Sequence, residues 1–189
     1  QKKIILKTEG LTKHYGGVKA LHDADFTLAD GEHVAIVGDN GAGKSTFIRQ
    51  VTGVEIPTSG KIYFDGNLVN FKTPADAKKA GIEAVYQNLA LADDLDVPSN
   101  IFLGQEETYF NLGPFSFLNE NKMFKQSIDV LAKTGIKIPD IKITMNNMSG
   151  GQRQCVAISR SAGFASKLII MDEPTAALGV QETKQVEQI

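Results

Sequence analysis

The chain has 189 residues, 42% of them hydrophobic, and a formal charge of −2 from 20 basic and 22 acidic side chains. That length supports one sizeable buried core, and a near-neutral balance without a dense Lys/Arg block argues against a general nucleic-acid binder, whose affinity rests on phosphate neutralisation. Cys155 is the only cysteine, so an internal disulfide and a thiolate metal site are ruled out and a reducing compartment fits.

In chain order, "IILKTE" and "KALHDADFTLAD" carry the apolar runs or alternation of strands, and "EHVAIVGD" is continuously apolar, as in a strand buried on both faces. Val34 to Val37 is therefore expected to be a central parallel strand. Two β-rich runs in "SGKIYFDGNLVNF" flank Asp65-Gly66, a dipeptide suited to a tight hairpin, which predicts an antiparallel flap. "GIEAVYQ" reads as another buried strand. From Asn88 the character changes to helices and loops, with Met123, Phe124, Ile128 and Leu131 spaced to share one helical face. A helix from about Gly150 and the apolar run "KLIIMDE" then return the chain to an α/β pattern. No apolar run approaches the roughly 18 residues that span a bilayer, and "QKKIILKTEG" has too short an apolar core for a signal peptide, so any membrane association is expected to be peripheral.

Gly38 to Ser45 matches G-x-x-x-x-G-K-[ST] between an expected strand and the helical "KSTFIRQVTG", the context that pattern requires. Its glycines let backbone N–H groups turn inward around a phosphate, the helix N-terminus adds partial positive charge, and Lys44 supplies a cation between the β- and γ-phosphates. Ser45 is placed to ligate Mg²⁺. The second strand ending in acid supplies the rest of a nucleotide–metal site: Asp172 to hold a metal-bound water, and Glu173 to orient and deprotonate the water that attacks the γ-phosphate. The candidate ATP-binding stretch is thus Gly38, Asn40, Gly41, Ala42, Gly43, Lys44, Ser45 and Thr46. The "MSGGQRQ" stretch is a second glycine-rich helix start, in which Ser149 and the N–H groups of Gly150 and Gly151, followed by Gln152, suit an anion.

"GDNGAGKST", "VYQN", "MSGGQRQ", "LIIMDEP" and "TAALG", in this order, resemble the Walker A, Q-loop, signature, Walker B and D-loop of the ATP-binding cassette ATPases. The resemblance covers essentially the whole chain. It implies a P-loop α/β fold with a mixed core sheet, an antiparallel β subdomain and a helical subdomain, divided as 1–86 (β subdomain and Walker A core), 87–147 (Q-loop and helical subdomain) and 148–189 (signature helix, Walker B and D-loop). It also implies that two cassettes meet head to tail, so that the signature of one acts on the ATP held by the other. Tyr15, in "LTKHYGG", takes the place of an aromatic ring that stacks on adenine, and Gln87 that of a glutamine sensing Mg²⁺ and the attacking water. His14, His22 and His33 have no metal-ligand spacing and receive no role.

Two departures stand out. The D-loop reads Ala177-Leu178-Gly179 where many cassettes end in aspartate, and no histidine follows His33, although the family's switch histidine lies beyond the Walker B glutamate. The strand before that histidine lies, in the family, between the Walker A and Walker B strands, so its absence is expected to leave a gap with unpaired backbone groups. The resemblance therefore implies a piece of a longer protein, lacking the C-terminal part of the core.

"GGVKALHDADFTL", "VPSNIFLGQE" and the stretch from "MSGGQRQ" to "GVQET" are similar to ATPases of bacterial monosaccharide importers, the single-cassette fructose type above all, with ribose and xylose relatives near. That resemblance implies transmembrane permease subunits as partners, a periplasmic sugar-binding protein acting indirectly, and a peripheral location on the cytoplasmic face of the inner membrane. Two readings of other classes compete. A soluble cassette protein acting on DNA of the chromosome type would place a long coiled coil between Q-loop and signature, where this chain has roughly 60 residues, while a ribosome-acting one would usually be tandem. A regulatory cassette that binds ATP without hydrolysing it is opposed by Glu173 and the full signature.

Overall fold

The computed structural model describes residues 2–86, 89–110, 116–134 and 136–172, in two units: 1–84 with 165–170, and 85–164 with 171–189. In the first unit, β1 (Ile4–Tyr15) and β2 (Val18–Ala29) form a long antiparallel pair. On its other edge β1 pairs with β3 (Ser59–Phe64), and β3 pairs with β4 (Asn67–Val69), giving the order β2-β1-β3-β4. The expected hairpin is present: Asp65 and Gly66 both have positive φ (50° and 80°), so Phe64 opposes Asn67 across a two-residue turn whose twist matches the strands. One face of this sheet buries Leu6, Leu11, Ile62 and Phe64 against Phe47 and Val51 of helix α1 (Lys44–Val51), with Phe26 meeting Phe47 edge-on at 5.3 Å. Gly60 permits the close approach of β1 and β3, because with φ +98° a Cβ there would lie 2.5 Å from the carbonyl oxygen of Gly10.

Helix α2 (Pro74–Ala80) begins with a capping box between Thr73 and Asp76 and stops at Gly81, whose φ is +105°. The chain runs directly into β5 (Ile82–Val85), which pairs with β6 (Leu168–Met171). The bonds from Leu168 N to Gly81 O and from Asp172 N to Val85 O keep one sequence offset, the signature of parallel strands.

The expected central strand at Val34 to Val37 does not form. Residues 32–39 have no regular structure, and Val34, Ile36 and Val37 are exposed, Val37 to 87%. A strand that hides both faces needs a hydrogen-bonded neighbour on each edge. Among the described residues β5 and β6 pair only with each other, so no ladder reaches this run. The same lack leaves β6 half-buried along its length, against the full burial that its apolar run predicts.

Among its described residues the second unit is mainly helical. Its core gathers Val97 and Ile101 of α3 (Val97–Ile101), Met123, Val130 and Leu131 of α4 (Glu120–Lys133), Met145, and Cys155 and Val156 of α5 (Gly150–Phe164). The expected face of α4 is rotated: Met123, Ser127, Val130 and Leu131 are buried, Phe124 is half-buried under the Lys142 ammonium, and Ile128 is 48% exposed. Close packing of α4 on α5 depends on Gly163, where a Cβ would stand 2.7 Å from a methyl of Val130.

Candidate functional site

The first unit carries the phosphate loop. Gly41 and Gly43 adopt left-handed φ values of 85° and 89°, which an L side chain resists, and a Cβ on Gly43 would lie 2.6 Å from the carbonyl oxygen of Ala20 on β2. The loop is thereby seated on the sheet. The first intrahelical bond of α1 runs from Phe47 N to Gly43 O, and no side chain caps the helix. The N–H groups of Lys44, Ser45 and Thr46 therefore lack intrahelical acceptors, at the positive end of the helix dipole, with no acidic residue in the first turn. Lys44 folds back over the loop and donates to the carbonyl oxygens of Gly38 (2.7 Å) and Asp39 (3.0 Å), which holds its ammonium at the loop. Three donors on that ammonium leave capacity for a phosphate oxygen. The donor set fits a polyphosphate: uncapped amides and a lysine, with no competing carboxylate in the first turn.

Tyr15 ends β1 and is 44% exposed. Its hydroxyl donates to the Glu55 carboxylate, which also faces Arg49 of α1 at 3.4 Å and Lys13 at 3.9 Å. The bond to Glu55 raises the phenol pKa above its ordinary value, helped by desolvation, and so keeps the proton on Tyr15.

In the second unit, Asp172 follows β6 and its N–H donates to Val85 O at 2.9 Å, which fixes it at the strand's C-terminal end. The signature stretch is a reciprocal cap: Gln152 N–H donates to the Ser149 hydroxyl oxygen (3.2 Å) and Ser149 N–H to the Gln152 amide oxygen (3.0 Å). That cap leaves the Ser149 hydroxyl proton available to a further acceptor. Ser149 and Gly150 are exposed, Gly151 is buried, and a Cβ on Gly150 would meet nothing within 4 Å, so an anion has room there. Gln87, Glu173 and the D-loop residues through Gly179 lie outside the described residues. The site residues predicted from sequence thus fall in two sets, Tyr15 with Gly38 to Thr46 in one unit and Ser149 to Gln152 with Asp172 in the other.

Sequence reasoning missed Glu55, and it missed the two arginines by which α5 grips the segment after Gln87. Arg160 donates to the carbonyl oxygens of Leu89 and Ala90 (both 3.1 Å), Ala90 having a φ of +48°, and Arg153 pairs with Asp93. Their seven-residue spacing puts both on one helix face and was the available signal.

Comparison with known proteins decides the family. The family described as ABC transporter matches residues 21–176. The chain belongs to that family. This ABC cassette is 46% identical over 188 residues to the fructose import ATP-binding protein FrcA of Rhizobium meliloti, and 45% identical over 185 residues to the xylose/arabinose import ATP-binding protein XylG of Sulfolobus acidocaldarius. Each alignment covers 98% of the chain and 72% of the relative. Among solved structures it resembles a nucleotide-free ATP-binding cassette from an ABC transporter (TM-score 0.82, 27% identity, 97% of this chain and 74% of that one). It also resembles a cassette in a dimeric post-hydrolysis state bound to ADP and Pi (TM-score 0.79, 26% identity, 97% and 80%). The ABC cassette is accordingly an ATPase of the P-loop class, with an antiparallel β part and a helical part.

Proposed function

We propose that this ABC cassette is the ATP-hydrolysing subunit of an importer for a monosaccharide. The phosphate loop carries the ATPase part of the reading, with three uncapped amides, left-handed Gly41 and Gly43 and the folded-back Lys44 converging on one loop. Identity of 46% and 45% to two sugar-import ATP-binding proteins along nearly the whole chain supports the sugar part.

In this reading the loop amides from Gly38 to Thr46 and the Lys44 ammonium hold the β- and γ-phosphates, and Tyr15 stacks on adenine. Ser45 and Asp172 would hold Mg²⁺, assisted by Gln87; the ion supplies charge neutralisation on the phosphate oxygens. Glu173 accepts the proton of a water whose oxygen bonds to the γ-phosphorus as the bridging P–O bond breaks, releasing ADP and phosphate. A second copy of the cassette presents Ser149 and the amides of Gly150 and Gly151 to the γ-phosphate, in keeping with the dimeric cassette it resembles. No helix among the described residues is long and apolar enough to cross a membrane. The membrane path belongs to two permease subunits, with the cassette on their cytoplasmic side and a periplasmic binding protein selecting the sugar.

The test is uptake of labelled monosaccharides by proteoliposomes holding the cassette with the permeases encoded beside it. ATP-dependent uptake that Glu173→Gln abolishes, with ATP binding retained, is the expected result. Hydrolysis that no sugar or permease alters would defeat the importer reading and leave the ATPase standing.

A further inference from the structure

The structure assigns Glu55 a positioning role in nucleotide selection: its carboxylate fixes the Tyr15 ring as the platform for the nucleotide base and ties that ring to the helix of the phosphate loop. The inference rests on the proposed stacking role of Tyr15. A tyrosine at a strand end has two free side-chain torsions, and ordering a stacking face has an entropic cost when a base arrives. Here the ring is fixed beforehand. The phenol donates to one carboxylate oxygen of Glu55 and Arg49 reaches the other at 3.4 Å. Arg49 sits in the last turn of α1, the helix that opens at the phosphate loop. Glu55 is itself held, since its N–H donates to Arg49 O at 3.0 Å and its side chain is only 19% exposed. The surrounding segment is stitched to the end of β1 through Lys13 to Ile56 O (2.7 Å), His14 N–H to the Thr58 hydroxyl (3.0 Å) and Thr58 N–H to Thr12 O (2.9 Å). Lys13 also places its ammonium 5.4 Å from the Tyr15 ring centroid. One carboxylate therefore joins the base platform to the phosphate helix, two parts of the site separated by about thirty residues of sequence.

The consequence is specific to ligands that have a base. Calorimetric titration of the chain with Mg·ATP and, in parallel, with Mg·tripolyphosphate separates base binding from phosphate binding. Tyr15→Ala should weaken ATP by about tenfold, in line with loss of one base stack, and leave tripolyphosphate unchanged. Glu55→Ala should weaken ATP by about threefold to tenfold, also without changing tripolyphosphate, and should add nothing in the Tyr15→Ala background. Glu55→Gln, which keeps an acceptor for the phenol, should restore most of the loss. Tyr15→Phe, which keeps the ring and removes the donor, should resemble Glu55→Ala and serves if that variant does not fold. Unchanged ATP affinity in Tyr15→Ala would overturn the stacking assignment itself. A loss in Tyr15→Ala with none in Glu55→Ala or Tyr15→Phe would overturn the role of Glu55 alone. So would equal losses for ATP and tripolyphosphate in Glu55→Ala, or additive losses in the double variant.

Discussion

Ser149 and Gln152 cap each other: the Ser149 hydroxyl oxygen accepts the Gln152 amide at 3.2 Å, and the Gln152 side chain accepts the Ser149 amide at 3.0 Å. Starting α5 and the proposed binding of a partner's phosphate therefore fall on one side chain and can be separated by charge. Aspartate caps as well as serine, so Ser149→Asp should leave unfolding free energy within about 0.5 kcal/mol of the parent, whereas Ser149→Ala should lose about 1 kcal/mol. If the γ-phosphate of a second copy lands there, Ser149→Asp should nonetheless lower ATP turnover by about a hundredfold or more. Chemical denaturation and a phosphate-release assay read the two effects. Full turnover in Ser149→Asp would remove the phosphate role and leave the cap.

Gly163 and Val130 give a test of packing. Alanine is favoured over glycine inside a helix by up to about 1 kcal/mol. At Gly163 its methyl would stand 2.7 and 2.9 Å from the two methyls of Val130, a β-branched side chain with little rotamer freedom. Gly163→Ala should therefore destabilise the second unit by about 1 to 2 kcal/mol net. In a Val130→Ala background the same change should stabilise, so the sign of the effect reverses with its neighbour. Urea melts of the four proteins measure it.

Asp65 supplies a pH dependence. Lys167, and then Lys3, hold its carboxyl at a pKa of about 2, below the ordinary value of 3.8. A depressed acid contributes stability that is present above its unfolded pKa and lost as pH falls through its folded pKa. Melting temperature should thus decline between about pH 4 and about pH 2, and Asp65→Asn should flatten that part of the profile while lowering stability at neutral pH. An identical slope in the variant would show that other carboxylates set the acid limit.

Lys44→Ala removes both the clasp on Gly38 and Asp39 and the cation proposed to face the phosphates. Loss of a charge-assisted bond of about 1.5 to 3 kcal/mol should weaken Mg·ATP about tenfold to 150-fold. Tripolyphosphate should weaken in proportion, in contrast with the Glu55 variants. Titration calorimetry distinguishes the two patterns.

How much of this was legible in the sequence depended on how far away the cause lay. The Asp65-Gly66 turn and the Gly38 to Ser45 pattern are signals carried within a few residues and were read directly; the Thr73 cap is equally local but was not read. Strand status at Val34 to Val37 was not a local property. Its apolar residues specify what the run can do, and the absence of a pairing edge among the described residues decides what it does. On α4 the expected Met123 and Leu131 are buried, but for a similar reason contact with α3 and α5 selects Ser127 and Val130 in place of Phe124 and Ile128. In the candidate site, motif spacing named the stretches Gly38 to Thr46 and Ser149 to Gln152, while the Tyr15–Glu55 bond spans forty residues and leaves no trace in spacing. Gln87 and Glu173, both named from sequence, fall outside the described residues.

The open run at 32–39 has a consequence for handling the protein. Between Glu32, whose N–H donates to Ala29 O, and the Gly38 and Asp39 carbonyls held by Lys44, the exposed Val34, Ile36 and Val37 lie in a run outside any ladder, a template onto which another chain can add a strand. Concentrated solutions should accordingly turn cloudy on standing, with growth seeded at this run and not at the helical part. Glycine or lysine at Ile36 should lengthen the lag before turbidity, and so should saturating nucleotide, because ordering the adjoining loop withdraws one end of the template.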